Sequence, residues 1–186
     1  MRVTPTALPG ILLVEPTVFG DERGYFFEAY SARRYAEAGI PAAFVQDNVS
    51  YSQRGVLRGL HYQHPFAQGK LVGVLRGEVF DVAVDVRRGS PTFGRWLGTC
   101  LSAENRRQLY IPPGFAHGFL VTSPDALFAY KCTEYYRAEA ERCIRWDDPR
   151  IGIKWPVDAP VVSAKDSGAP TLDALPADWL PTIEAG

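Results

Sequence analysis

Residues 70–87 carry the pattern that most restricts how this chain can fold. Leu71-Val72-Gly73-Val74-Leu75 is an apolar run, Arg76-Gly77-Glu78 is a turn, and alternation begins at Val79. Phe80, Val82, Val84 and Val86 fall on one face, Asp81 and Asp85 on the other. Period two belongs to a strand, so the spacing predicts two strands, the second with one face in the core. The glycine turn predicts a hairpin between them. Similar runs recur at 11–15, 25–30, 44–51, 94–101, 108–111, 118–122 and 126–133. Pro-Gly, Arg-Gly, Gly-Ser-Pro, Pro-Pro-Gly and Ser-Pro-Asp punctuate them, all strong turn signals. One helix is expected, with Ser31 as N-cap, residues 33–38 as its body and Gly39 ending it. Many short strands without βαβ alternation imply an all-β sandwich or jelly-roll barrel, whose open mouth is a natural ligand cavity.

At 186 residues, with 46% apolar and 22% charged, the chain has the composition of one globular domain. From about residue 147 the pattern changes. Asp147-Asp148-Pro149, Trp155-Pro156 and Ala159-Pro160 read as an irregular segment clasping the domain, with a short helix near 176–180. Twenty Lys+Arg against 21 Asp+Glu leave a net charge of −1, so no global field draws nucleic acid or a membrane surface. Cys100, Cys132 and Cys143 are odd in number and lack C-x-x-C spacing; they read as buried free thiols in a reducing cytosol. The apolar run at 11–14 is too short for a signal peptide, and no run is long enough to span a bilayer. A soluble, cytoplasmic protein is expected.

Chemistry concentrates in residues 55–70, which hold Arg58, His61, His64 and Lys70 among glycines and apolar residues. Two of the chain's three histidines are here. Two cations beside a base suit a site that binds a polyanion and deprotonates a carbon acid. Strand parity alone separates Arg58 from His61, and only a bend at Gly59 would bring them together. His61 and His64, three apart, fall on opposite faces of a strand without an obvious third ligand, which argues against a metal site. In Ile111-Pro112-Pro113-Gly114-Phe115-Ala116-His117, the histidine reads equally as a turn cap or a ligand group. Tyr130 reads as rim packing or as a phenolic proton donor. Ser163-Ala164-Lys165-Asp166 in isolation is a polar loop, and Asp21-Glu22-Arg23-Gly24 an ordinary turn.

Taken together, these segments resemble one family, the dTDP-4-dehydrorhamnose 3,5-epimerases of the cupin superfamily. The strings carrying the resemblance are D-E-R-G-Y-F-F-E (21–28), V-Q-D-N-V-S (45–50), V-L-R-G-L-H-Y-Q (56–63) and Q-G-K-L-V (68–72). D-V-A-V-D-V-R-R-G-S-P-T-F-G (81–94), I-P-P-G-F-A-H-G-F (111–119), Y-K-C-T (130–133) and S-A-K-D (163–166) follow in order. The metal-binding H-x-H of the wider superfamily is replaced by His61-Tyr62-Gln63-His64, as in its metal-free members.

The resemblance implies a cupin-type jelly-roll homodimer that binds a dTDP-sugar and needs no metal or other cofactor. It implies inversion of C3 and C5 of dTDP-4-dehydro-6-deoxy-α-D-glucose. His61 would be the base, Asp166 its orienting partner, Lys70 the counter-charge at the C4 oxygen and Tyr130 the proton donor on the opposite face. Arg23 and Arg58 would grip the diphosphate, and Phe19 and Tyr136 would flank the thymine. Glu28, Gln46 and Asn48 would meet the nucleoside, His117 the sugar, and Glu141 and Lys165 would complete the rim. Phe19, Arg23 and Glu28 would serve the partner subunit's site through exchanged N-terminal strands. Three alternatives stand beside this: a C3-only epimerase for a natural-product sugar, a binder that has lost catalysis, and a metal-dependent cupin.

Overall fold

The computed structural model describes residues 1–40 and 43–183. Thirteen strands are described, β1 (Arg2–Pro5), β2 (Leu12–Glu15), β3 (Val18–Asp21), β4 (Gly24–Phe27), β5 (Gln46–Gln53), β6 (Leu57–Gln63) and β7 (Lys70–Arg76) among them. β8 (Glu78–Asp85), β9 (Trp96–Ser102), β10 (Gln108–Ile111), β11 (Phe115–Val121), β12 (Asp125–Cys132) and β13 (Glu141–Cys143) complete the set. The helices are short, α1 (Ala32–Glu37) and α2 (Ala164–Ser167). A six-stranded sheet in the order β1-β2-β10-β7-β12-β5 faces a five-stranded sheet in the order β13-β6-β11-β8-β9, with all ladders antiparallel. This is a jelly roll, and the expected all-β class with few helices holds. β3 and β4 form a separate hairpin. No helix among the described residues is long and apolar enough to cross a membrane.

Alternation decides what points inward. Val72 and Val74 of β7, Val79 and Ala83 of β8, Phe115 and Phe119 of β11 and Phe128 of β12 fill the space between the sheets. The Phe119 and Phe128 rings stack there at 4.1 Å. A second cluster lies outside the five-stranded sheet. Leu60, Tyr62, Val82, Val84 and Ala116 meet Ile144, Ile151, Leu172, Leu175 and Leu180 of the C-terminal segment. That segment carries 3-10 turns at Leu172–Ala174 and Ala177–Trp179.

Three expectations change. β7 and β8 are not a hairpin: Gly77 (φ +77°) turns the chain out of one sheet and into the other. A single residue between strands leaves no room to fold back, and Gly77 packs so closely on the Asp125 carbonyl that a Cβ would collide with it. Asp81 and Asp85 do not face water. The clasp covers the Val82 face, so their face is the barrel interior and both are fully buried. Of the three free cysteines, only Cys132 is buried; Cys143 is half-buried and Cys100, on β9 near a sheet edge, is exposed.

The register of β6 against β11 shifts between His117↔His61 and Phe119↔Arg58, so three steps on β6 match two on β11. This bulge is centred on Gly59 (φ +132°), whose backbone lies against Gly118. A Cβ on Gly118 would stand 2.8 Å from the Arg58 carbonyl oxygen and 3.2 Å from Gly59 Cα. Gly118→Ala is expected to lower stability by about 1–3 kcal/mol through overpacking, read as a lower urea midpoint at unchanged slope. A wild-type midpoint would contradict the close contact.

Candidate active site

The bulge cancels the strand parity that would separate Arg58 from His61, and both side chains open onto one groove with Lys165 and Asp166. His61 Nε2 lies 2.7 Å from Asp166 Oδ1. The Gly59 N–H donates to Asp166 Oδ2 at 3.3 Å, and the Asp166 N–H donates to Ser163 Oγ at 3.1 Å, which caps α2. Parallel bridging of Val56 with Val161 and two hydrogen bonds between Leu60 and Ile144 fasten the clasp to β6. Burial alone would raise the Asp166 carboxyl. Hydrogen bonds and charge attraction from His61, with the Gly59 N–H, outweigh it and hold the group below the usual carboxylate range. The tautomer that suits an ionised Asp166 carries its proton on Nε2, donates it to Oδ1 and leaves a free lone pair on Nδ1.

His61 also lines a cavity of about 200 Å³ at one end of the barrel interior, with Gln46, Asn48, Lys70, Tyr130, Tyr136 and Glu141. Inward alternation on β5, β7 and β12 puts Gln46, Asn48, Lys70 and Tyr130 there, while Tyr136 comes from the chain after β12 and Glu141 from β13. Burial pulls the Lys70 ammonium below the ordinary lysine range, against the opposing pull of Cys132, Asp81 and Glu141. Burial raises the Tyr130 phenol, helped by Cys132 and Glu141 and opposed by Arg58, so it is neutral near pH 7 and able to donate a proton. At the rim, the Tyr136 hydroxyl donates to Glu141 Oε2 at 3.0 Å, and Lys165 pairs with Glu141. Gln46 Oε1 accepts the Tyr136 N–H at 2.9 Å, and Gln46 Nε2 donates to Asn48 Oδ1 at 3.1 Å.

His61 lies where the groove and the cavity adjoin, with Arg58, Lys165 and Asp166 in the groove and Lys70, Tyr130, Gln46, Asn48, Tyr136 and Glu141 in the cavity. His117 lies behind it, opposite His61 in the ladder, buried and 2.9 Å from Asp81 Oδ2. Asp81 Oδ1 is buried without a hydrogen-bond partner. Phe19, Arg23 and Glu28 do not line the cavity. They belong to the exposed β3–β4 hairpin and the residue after it, with Arg23 paired to Asp21 and Glu28 to Arg34. Two residues beside the site escaped sequence reasoning. Asp81 looked solvent-facing until the clasp defined which face was outside. Cys143 sits on a three-residue strand too short to read, opposite His61, with its thiol pushed up to about 12 by burial and by Asp166. α2 and its Ser163 cap also stand where the sequence read only a polar loop.

The model of the dTDP-4-dehydrorhamnose 3,5-epimerase family matches residues 5–174. The chain belongs to that family. The dTDP-4-dehydrorhamnose 3,5-epimerase of Pseudomonas aeruginosa is 61% identical over 168 residues, 89% of this chain and 93% of the relative. A crystal structure of dTDP-6-deoxy-D-glucose-3,5-epimerase from Legionella pneumophila, in complex with dTDP-4-keto-L-rhamnose, superimposes with a TM-score of 0.96. It is 54% identical, and the match covers 99% of both chains. A dTDP-4-dehydrorhamnose 3-epimerase from Streptomyces niveus is similar at the lower identity of 40%, over 98% of this chain and 89% of the relative.

Within this epimerase family frame, the His61–Asp166 pair makes two testable demands. Asp166→Asn removes the carboxylate that selects the Nε2–H tautomer, and kcat is expected to fall by about 10³- to 10⁴-fold. A variant within a few-fold of wild type would contradict the pairing. Because the folded-state carboxyl lies below its ordinary value of 3.8, its stabilising contribution is complete above that value. It is lost as pH falls through the folded-state value. The stability gap between wild type and Asp166→Asn, measured by urea unfolding, is therefore expected to close in acid; a gap constant with pH would contradict the linkage.

Proposed function

We propose that this epimerase inverts C3 and C5 of dTDP-4-dehydro-6-deoxy-α-D-glucose to give dTDP-4-dehydro-β-L-rhamnose. The observation that carries the proposal is the opening shared by the oriented base His61, the neutral phenol of Tyr130 and the ammonium of Lys70. His61 Nδ1 takes the proton from the carbon beside the C4 ketone, and the electron pair moves to the C4 oxygen as an enolate. The Lys70 ammonium, made a stronger donor by burial, stabilises that oxygen. Tyr130 then returns a proton to the opposite face of the same carbon, which inverts it. His61 then gives its proton to solvent and Tyr130 regains one from it, and the sequence repeats at the other α-carbon with no net redox change and no cofactor. A base supplies about 10² to 10⁴ in rate, so Lys70 and positioning supply the remainder.

Arg58 and Lys165 flank the groove beside His61, which supports a diphosphate site there. Tyr136, Gln46, Asn48 and Glu141 receive the nucleoside and rim contacts, and His117 supports the sugar end. The remaining groups, Phe19, Arg23 and Glu28, act in a partner subunit. Phe19, Tyr25 and Phe26 of the hairpin are 64%, 56% and 69% exposed, and Val49, Tyr51 and Leu75 leave the outer face of the six-stranded sheet apolar. A homodimer that exchanges hairpins across this face would bury both surfaces. The catalytic unit is a single domain whose clasp, from about residue 147, supplies Asp166. The enzyme works in the cytoplasm, on a route to rhamnose-bearing surface glycan such as lipopolysaccharide.

A C3-only epimerase would use the same groups. Identity is higher to the double epimerase of Pseudomonas aeruginosa, at 61%, than to the 3-epimerase of Streptomyces niveus, at 40%, which favours double inversion. NMR of the nucleotide sugar incubated with enzyme in D₂O is expected to show deuterium at both C3 and C5. Deuterium at C3 alone would overturn the double reaction, and none at either carbon would overturn proton abstraction. Arg23→Ala is expected to raise KM by about tenfold or more with a smaller change in kcat, since a diphosphate grip is mostly uniform binding. A loss confined to kcat would contradict that role.

A further inference from the structure

Cys143 is a group at the His61–Asp166 pair for which the epimerisation has no use. β13 places it directly opposite His61, and cross-strand partners project from the same face of a sheet. Its Sγ lies 3.7 Å from Asp166 Oδ1, the oxygen that also holds His61 Nε2 at 2.7 Å. One donor atom from each of the three residues lies within 4.8 Å of the other two. Tetrahedral zinc, with bonds of about 2.0–2.3 Å, spaces nitrogen, oxygen and sulfur ligands roughly 3.3–3.6 Å apart. The sulfur–oxygen pair already stands near that spacing, and the nitrogen–oxygen pair needs to open by only about 0.6 Å to reach it.

We infer that His61, Cys143 and Asp166 form a binding site for a thiophilic divalent cation such as Zn²⁺, and that filling it silences the enzyme. The chemistry balances without a further reactant. The ion displaces the Cys143 thiol proton to solvent and takes the lone pair of His61 Nε2, whose proton moves to Nδ1. Two anionic ligands and one neutral ligand cancel the charge of the ion, which suits a half-buried position. His61 lines the open cavity, so water reaches the fourth coordination position from there. With Nδ1 protonated and Nε2 on the metal, the imidazole has no lone pair left to accept a carbon-bound proton. The ion is an inhibitor at this site, not a cofactor. The partners of His61 in this group come from β13 and α2, far along the chain.

Ion binding stands on the geometry alone, whereas the silencing rests on the proposed role of His61 as base. Both are tested by titrating chelator-treated enzyme with Co²⁺, recording its absorption, then competing with Zn²⁺ and assaying epimerisation in parallel. The expected result is a thiolate-to-cobalt charge-transfer band with tetrahedral d–d bands, bleached by stoichiometric Zn²⁺, and activity that falls in proportion to zinc occupancy. Cys143→Ala is expected to keep epimerisation, lose the charge-transfer band and resist zinc at least about tenfold more than wild type. Should that variant fold poorly, Cys143→Ser carries the same comparison. No charge-transfer band in the wild type, or equal zinc sensitivity with and without Cys143, would overturn the site. A bleached band with full activity would leave the metal site standing and overturn the assignment of His61 as base.

Discussion

A single hydrogen bond, His61 Nε2 to Asp166 Oδ1, joins residues 105 positions apart, and most of the architecture around the site serves to hold its two ends still. One end stands on a strand of the five-stranded sheet, just past a bulge that turns the imidazole to the same side as Arg58. The other stands on a four-residue helix in a segment with little regular structure. Such a helix has no stability of its own. It is held by the Ser163 cap, by the bridge of Val161 to β6, and by the apolar seal of the clasp against Val82, Val84 and Ala116. Packing of the C-terminal segment on the sheet therefore also positions the carboxylate beside His61.

The second constraint is the interior of the barrel. Period-two alternation sends every second side chain of β5, β7, β8, β11 and β12 between the sheets, where polar groups stand among apolar ones. Phe119 lies opposite Asp81 and Val72 opposite Tyr130, with Lys70, His117 and Cys132 close by. Burial acts on the polar groups in a consistent direction. It weakens the hold of Lys70 on its proton and strengthens that of Tyr130, which suits a hydrogen-bond donor to an enolate and a neutral proton donor. Asp81, buried with one oxygen unpartnered, supplies negative charge that steadies the lysine and a partner for His117.

Much of this was legible in the sequence because strand alternation and turn residues are local signals. The runs at 108–111 and 126–133 and the helix after Ser31 have counterparts in the structure. What failed was nonlocal. The glycine turn after β7 looked like a hairpin because nothing in residues 70–87 reveals that the next strand belongs to the other sheet. The aspartates of β8 looked solvent-facing because the sequence does not say that the tail covers the valine side. Cys143 came to His61 through a three-residue ladder, below the length at which periodicity can be read. The motif strings named Arg58 and His61 together, and the bulge at Gly59 explains how the two share a face.

The central claim is that Asp166 fixes His61 as the Nε2–H tautomer and so frees Nδ1 as the base. With three histidines in the chain, ¹⁵N-labelled imidazole signals can be assigned by substitution and their protonation read directly by two-bond ¹H–¹⁵N correlation near neutral pH. A protonated Nε2 and an unprotonated Nδ1 on His61, reversed or averaged when Asp166 is replaced by asparagine, is the predicted result. A proton on Nδ1 in the wild-type enzyme would contradict it.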